Sequence, residues 1–181
     1  KLASYCLTEP GAGSDAGSLR TSAERHGEHY LLNGSKAFIS GAGETDLLIV
    51  MARTGEEGPR GISAFAVPAL TEGISYGKKE EKMGWNCQPT CTVSFDNVLV
   101  PVDHMLGANG QGFKIAMEGL DGGRLGIGAC SIGTAQAALD ASISYVKERK
   151  QFGSRIADFQ VTQFKLADMA TEVTAARQMI R

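Results

Sequence analysis

A glycine-rich stretch near the start of the chain, Thr8 to Asp15, brings together backbone groups and side-chain oxygens that are suited to binding a ligand. Gly11 and Gly13 have no Cβ, so their N–H groups can come close to an anion or a flat ring. Consecutive N–H groups in such a turn form a concave anion site. Thr8, Ser14 and Asp15 add hydroxyl and carboxylate groups. A solvent-facing turn capped by Ser14 or Asp15 explains this stretch equally well when it is taken alone.

The same turn has the spacing Gly11-x-Gly13-x-x-Ala16, which also occurs in dinucleotide-binding turns. Such a site requires a strand, the turn and then a helix. The stretch "SYCLTE" is acceptable as the strand, but the sequence after the turn soon passes into another glycine-containing turn. Because no βαβ unit is visible in the first half of the chain, we reject a nicotinamide dinucleotide site.

A second candidate lies in "KAFIS", where Phe38 and Ser40 are two residues apart on a predicted strand. Side chains at that spacing face the same side of a strand. An aromatic ring beside a hydroxyl group suits a planar heteroaromatic ligand, since the ring can stack on the ligand and the hydroxyl can bind a nitrogen or oxygen at its edge. Taken alone, the pair is also explained by an ordinary core phenylalanine with a polar neighbour.

The first half of the chain, up to about Val102, reads as short strands separated by turns. The runs "DLLIVMART", "GISAFAVP" and "TVSFDNVLVP" have strand length, and Pro68 and Pro101 end two of them. The pair Asn33-Gly34 predicts a tight hairpin turn. These features predict an antiparallel barrel-like domain.

The second half has a helical period and begins after "GANGQG". Ile132, Leu139, Ile143 and Val146 fall on one stripe of a first helix, and "FGSRIADF" interrupts the pattern. From Asp158 a second helix is predicted, whose buried stripe would be Val161, Phe164, Met169, Val173, Ala176 and Ile180. Two long helices joined by a short loop pack antiparallel. The predicted fold class is therefore α+β, with a middle β-domain over residues 1–105 and the first part of a helical domain over residues 106–181.

Composition narrows the function classes. The net charge is −2 and no basic stripe is present, which argues against a nucleic-acid partner. No apolar run approaches the ~20 residues of a membrane span, and no signal peptide is visible. The four cysteines form no C-x-x-C pair and have no histidine at metal-ligand spacing, so we expect free thiols and no metal site. We expect Trp85 to be a packing residue near the candidate ligand or its barrel, with contact to the ligand as the alternative.

Taken together, these motifs resemble the acyl-CoA dehydrogenase family across essentially the whole chain. "YCLTEPGAGSD" resembles the family's flavin and substrate signature, and "NGSKAFIS" its second flavin strand. "GQGFKIAMEGLDGGR" is similar to the start of its substrate-lining helix, and "ERKQFG" with the following "FQ" to its later signature. Within the family, "GWNCQPT" and "LDGGR" look most like members that act on isobutyryl-CoA in valine catabolism.

The resemblance implies FAD as the cofactor, an acyl-CoA substrate, a homotetramer and an electron-transfer flavoprotein as the electron acceptor. The residues that would lie along the flavin are Tyr5, Leu7, Thr8, Gly13, Ser14, Phe38, Ile39 and Ser40. Those that would hold the adenosine-diphosphate half of FAD bound to a neighbouring subunit are Arg149, Gln151, Phe152 and Gln160. Those that would contact the acyl-CoA are Ser14, Asp121, Gly122, Gly123 and Arg124. Phe38 and Ser40 stand where many members have Trp and Thr, so the affinity for flavin is expected to differ.

The resemblance also bears on catalysis. In most members the general base is a glutamate, which we expect beyond Arg181. A minority of members place the base on the substrate-lining helix, at the position that is Gly123 here. The chain has no initial Met and ends in a helical pattern, as a segment of a longer protein would. We therefore expect this segment to lack a catalytic residue and to be inactive alone. Gly122 and Gly123 would leave space for a branched acyl chain.

Two other functions remain open at this point. An acyl-CoA oxidase on the same fold would pass the electrons to oxygen, and a non-catalytic relative would bind flavin or acyl-CoA without turnover. The bacterial cytoplasm and the mitochondrial matrix both suit the sequence.

Overall fold

The computed structural model describes residues 1–181, which divide into two compact units, residues 1–118 and 119–181. The first unit contains eight strands and the start of a long helix. The strands are β1 (Ala3–Cys6), β2 (Ser22–His26), β3 (His29–Ser40), β4 (Leu47–Arg53), β5 (Ile62–Pro68), β6 (Ile74–Tyr76), β7 (Thr90–Pro101) and β8 (Met105–Leu106). The three apolar runs singled out in the sequence form β4, β5 and β7.

The eight strands form one mixed sheet in the order β6-β7-β3-β2-β4-β5-β8, with β1 paired to β4. Most pairs are antiparallel, but β1 and β2 each run parallel to β4. The strands β6 and β8 remain as two separate edges, so the sheet does not close into a barrel. The predicted α+β class with an antiparallel core is confirmed, and its barrel-like part is an open sheet.

Side chains that alternate between the two faces of β4 contribute to a hydrophobic core on each face of the sheet. Leu48 and Val50 point into the larger cluster, which β3, β5 and β7 complete. Met51 points to the opposite face, where Leu7, Leu19 and other apolar residues pack against the start of the helix. The glycine-rich stretch is thereby anchored to the sheet by buried side chains on both sides of its turn.

The predicted hairpin at Asn33-Gly34 is wrong, because β3 continues through both residues and the turn lies at residues 27–28. Asn33 instead accepts a hydrogen bond from the backbone N–H of Asn97 at 2.8 Å. Gly34 lies at a register shift, and a Cβ there would approach the Cα of Thr21 to 2.7 Å. The glycine is therefore required by a close backbone approach rather than by a turn.

The second unit contains most of α1 (Gly112–Glu148), the short strands β9 (Lys150–Gln151) and β10 (Ser154–Arg155), and α2 (Gln160–Ile180). Arg177 of α2 donates to Gln136 of α1 at 3.0 Å. A Cβ on Gly128 would lie 2.6 Å from the Cδ1 of Ile180, so the two helices approach closely there. These contacts show the expected antiparallel packing. Neither helix has an apolar stretch of the length that crossing a bilayer requires.

The predicted buried stripe of α2 is wrong in its first half. Val161 is 64% exposed and Phe164 60% exposed, whereas Thr162, Leu166 and Ala170 are half-buried instead. Apolar residues occur on more than one face of this helix, so their spacing alone does not identify the packed face.

Candidate functional site

A buried ion pair lies beneath the glycine-rich stretch. Lys36 on β3 is fully buried, and its Nζ donates to Oε1 of Glu9 at 2.8 Å and to the carbonyl oxygen of Leu7 at 3.1 Å. The Glu9 carboxylate also accepts from the backbone N–H groups of Arg20 at 2.7 Å and Thr21 at 2.9 Å. The pair therefore joins β3 to the start of the stretch and to the segment at Arg20 and Thr21 that follows it.

The surroundings of this pair shift the pKa values of both groups. Burial alone raises the pKa of the Glu9 carboxyl, but the Lys36 ammonium and the backbone donors outweigh burial and hold the pKa below its ordinary value. Burial lowers the pKa of Lys36, and the Glu9 carboxylate opposes that shift. Each charge thus depends on the other to remain ionised within the fold.

The turn itself is held by the backbone. Glu9 and Ala12 exchange N–H···O bonds of 3.0 and 3.2 Å, and the N–H of Ala37 donates to the carbonyl oxygen of Thr8 at 2.8 Å. Gly11 and Gly13 are exposed, neither has a positive φ, and no heavy atom lies within 4 Å of a Cβ built at either residue. The folding of this chain therefore does not explain why they are glycines, and the open space would admit a ligand.

Phe38 lies at a register shift between Lys36 and Ile39, which turns its side chain outward. Its φ is 57° and its side chain is 67% exposed. A left-handed backbone costs a non-glycine residue about 1–2 kcal/mol. Only about a third of the residue is buried within the chain, and strained residues of this kind concentrate at ligand-binding sites.

Ser40 lies on the same exposed side of β3 as Phe38, at the end of the strand. Its carbonyl oxygen accepts from Oγ of Ser4 at 2.8 Å, and the next N–H, that of Gly41, donates to Pro89 at 2.8 Å. The strand end is thereby fixed, while the Ser40 hydroxyl makes no hydrogen bond within the chain. An aromatic ring and a free hydroxyl thus stand on the same side of β3, close in sequence to the ion pair.

Other residues of the expected flavin set face inward. Leu7 is 6% exposed and Ile39 2% exposed, so neither offers its side chain to a ligand. The Tyr5 hydroxyl donates to the carbonyl oxygen of Ala116 at 2.8 Å, and burial raises the pKa of Tyr5 to about 12. Thr8 is half-buried, whereas Gly13 and Ser14 are exposed.

The remaining predicted residues all lie in the second unit, where they form two groups. Arg149, Gln151, Phe152 and Gln160 gather around the β9–β10 hairpin. Phe152 in its turn is 95% exposed with a φ of 53°.

The second group is a single exposed turn of α1. Asp121 and Arg124 form a 3.3 Å ion pair there, and no heavy atom lies within 4 Å of a Cβ built at Gly122 or Gly123.

The sequence did not point to two features of the first unit. The Lys36–Glu9 pair was missed, because a lysine in a strand is usually solvent-exposed. Trp85, which was expected to pack near the ligand or its barrel, is 62% exposed with a φ of 58° and so is not a packing residue within this chain. Trp85 and Ser40 line the same open cleft of about 830 Å³, and Lys82 holds the Trp85 loop by donating to its carbonyl oxygen at 3.1 Å. The sequence feature that could have indicated an exposed Trp85 is its position directly after a glycine in a strongly charged loop.

Comparison with known proteins gives consistent matches over the whole chain. Residues 4–98 match the acyl-CoA dehydrogenase middle domain, and residues 110–181 match the acyl-CoA dehydrogenase C-terminal domain. The chain is 59% identical to the mitochondrial isobutyryl-CoA dehydrogenase of Dictyostelium discoideum, covering 100% of this chain and 44% of that protein. It is 50% identical to subunit CarC of the caffeyl-CoA reductase–Etf complex of Acetobacterium woodii, covering 99% of this chain and 48% of that protein.

Among solved structures, butyryl-CoA dehydrogenase from Megasphaera elsdenii matches with a TM-score of 0.96 and 47% identity, covering 99% of this chain and 48% of that one. The chain therefore spans about half the length of the relatives that it matches.

Proposed function

The chain belongs to the acyl-CoA dehydrogenase family, and from this premise we propose that the full-length protein is an FAD-dependent dehydrogenase of a short branched acyl-CoA. Members of this family are flavoproteins. The preference for a branched acyl chain is supported by the similarity to isobutyryl-CoA dehydrogenase. The observation that carries the proposal is Phe38, an exposed aromatic residue on strained backbone beside the free hydroxyl of Ser40.

The residues of the first unit fit a flavin. The Phe38 ring offers a stacking surface, and the Ser40 hydroxyl is free to bond an edge atom of a heteroaromatic ring. Gly11 and Gly13 leave their backbone open, so that a flat ring or an anion can approach without meeting a side chain. We assign the residues around Arg149 and the β9–β10 hairpin to the adenosine-diphosphate half of FAD bound to another subunit, which would make the protein an oligomer, in our proposal a homotetramer.

The reaction that we propose removes a proton from Cα and a hydride from Cβ of the acyl thioester. The chemistry that FAD supplies when bound is the acceptance of that hydride. In this proposal, the side of β3 that carries Phe38 and Ser40 orients the flavin. Ser14, Asp121 and Arg124 contact the acyl-CoA. Hydrogen bonds to the thioester carbonyl make the α-proton acidic enough for a carboxylate base.

We propose that this base is supplied from outside residues 1–181. Gly123 has no side chain, and the Asp121 carboxylate is paired with Arg124 at 3.3 Å. Gly122 and Gly123 leave open space on their turn of α1, which suits a branched acyl group. In this proposal residues 1–105 form the middle β-domain with the flavin and acyl-CoA contacts, and residues 106–181 form the first part of the helical domain.

An electron-transfer flavoprotein is the proposed electron acceptor, since one relative is a subunit of an Etf complex. The relatives include mitochondrial and bacterial proteins, and the mitochondrial matrix or the bacterial cytoplasm is the proposed compartment.

Turnover of the full-length protein tests this function. Isobutyryl-, butyryl- and 2-methylbutyryl-CoA are compared with an artificial electron acceptor, and isobutyryl-CoA is expected to have the highest kcat/KM. A clear preference for butyryl-CoA would overturn the branched-chain assignment. Hydrogen peroxide formed without the acceptor would indicate an oxidase. Bound flavin with no turnover of any of the three would indicate a non-catalytic relative.

A further inference from the structure

We propose that the buried Lys36–Glu9 pair positions the two ligand-facing segments, residues 8–14 and residues 37–41, and so determines the affinity of the full-length protein for FAD. This inference rests on the proposed function, because it takes FAD as the ligand. Neither residue of the pair faces the solvent, so both act through the segments that they hold.

The hydrogen bonds of the pair lead directly to these segments. Lys36 immediately precedes residues 37–41 on β3, and its ammonium bonds Leu7, the residue before the glycine-rich stretch, at 3.1 Å. Glu9 lies within that stretch, and its carboxylate is bonded to Lys36 at 2.8 Å. A backbone bond from Ala37 to Thr8 at 2.8 Å runs alongside. The separation of the two segments is therefore set by this group of contacts.

Stability of the fold does not account for such a pair. Removing an ammonium and a carboxylate from water costs several kcal/mol for each ion, and well-packed apolar residues of similar volume often stabilise a core equally well. A buried charged pair does supply directional bonds, which apolar contacts do not. Here those bonds join an exposed turn to a strand segment that carries the strained and exposed Phe38.

The pair can be replaced without leaving a charge buried, in the double variant Glu9→Gln/Lys36→Met. Because Arg20 and Thr21 donate to different oxygens of the Glu9 carboxylate, the single Gln amide oxygen can still accept from one of these N–H groups. The bonds from Lys36 and one backbone bond to residue 9 are lost. Val100→Ala is the matched control, because Val100 is buried in the same sheet opposite Tyr30, at the far end of β3 from Ser40.

The test measures three properties of the full-length apoprotein and its variants: the Kd of FAD by flavin fluorescence titration, the absorption spectrum of the bound flavin, and urea unfolding. The double variant is expected to bind FAD about tenfold more weakly or worse, because misplacement of binding groups is costly. Its bound flavin should have a shifted absorption spectrum. The control should unfold more easily but keep its Kd within about threefold of the wild type.

Four results would count against the inference or its premise. A double variant with the wild-type Kd and spectrum would overturn the positioning role. Equal weakening by Val100→Ala would also overturn it, since the effect would then follow general stability. A wild-type protein that takes up no flavin would instead overturn the proposed function itself. If the double variant does not fold, Lys36→Arg, which keeps a positive charge opposite Glu9 but changes the geometry of its bonds, is measured against the same two criteria, and loss of folding in both variants would show that the pair serves stability.

Discussion

Replacing Phe38 by alanine should separate ligand binding from folding, because most of this ring faces outward. An aromatic side chain contributes 150–250 Å² of surface, so the 67% that is exposed amounts to about 130 Å² available to a ligand. At about 25 cal/mol per Å² this surface is worth about 3 kcal/mol if a ligand covers it completely. The buried third is worth about 1.5 kcal/mol to the fold at most. Alanine keeps the backbone cost at φ 57°, so that cost cancels in the comparison.

The expected result for Phe38→Ala is an FAD affinity lowered by up to about 100-fold, with a change of about 1.5 kcal/mol or less in the free energy of unfolding of the apoprotein. Both are measured on the full-length protein, by FAD titration and urea denaturation. Phe38→Trp is the control, and it should retain or strengthen binding because the stacking surface is larger. An unchanged Kd for Phe38→Ala, with a marked loss of stability, would refute the reasoning by showing that the ring serves the fold.

Three further predictions follow from the first unit. Gly13→Ala should leave the free energy of unfolding within about 1 kcal/mol of wild type, because the added Cβ meets no atom. The same substitution should raise the Kd for FAD or acyl-CoA, and an unchanged Kd would argue against a ligand that approaches Gly13. The pKa of Glu9 is held below its ordinary value of 4.5, so its stabilisation is present above that pH and is lost as the pH falls below it. Urea denaturation between neutral and acid pH should therefore lose part of its pH dependence in Glu9→Gln/Lys36→Met, and an identical acid profile would contradict this. Arg53→Lys should lower the free energy of unfolding in urea by about 1–3 kcal/mol, because Arg53 donates five hydrogen bonds to backbone carbonyls that a lysine cannot replace in full. Arg60→Lys is the exposed control, and an equal effect of that substitution would contradict the argument.

Much of the fold was predictable because its signals are local. The continuous apolar run of β4 and the alternation in β7 identified those strands, and the change to a helical period identified α1 and α2. The hairpin prediction at Asn33-Gly34 failed because Gly34 is required by its close approach to Thr21. No local sequence pattern indicates that contact. The packed face of α2 was misassigned for a similar reason, since it depends on the surface of α1.

The candidate site was predictable only in part, for physical reasons that the residues make plain. Phe38 and Ser40 were identified from residue type and spacing, and both are exposed. The register shift that turns Phe38 outward depends on pairing with β7 and leaves no local signal. Lys36 was missed because a lysine is rarely buried without a partner, and that partner, Glu9, lies in another segment of the chain.

The most direct test of the account is amide hydrogen–deuterium exchange of the full-length protein with and without FAD. The account places the ligand against residues 11–14 and 38–41, on elements that the Lys36–Glu9 pair joins. It predicts that FAD slows exchange in both segments together. Binding of FAD that leaves exchange in both segments unchanged would contradict it.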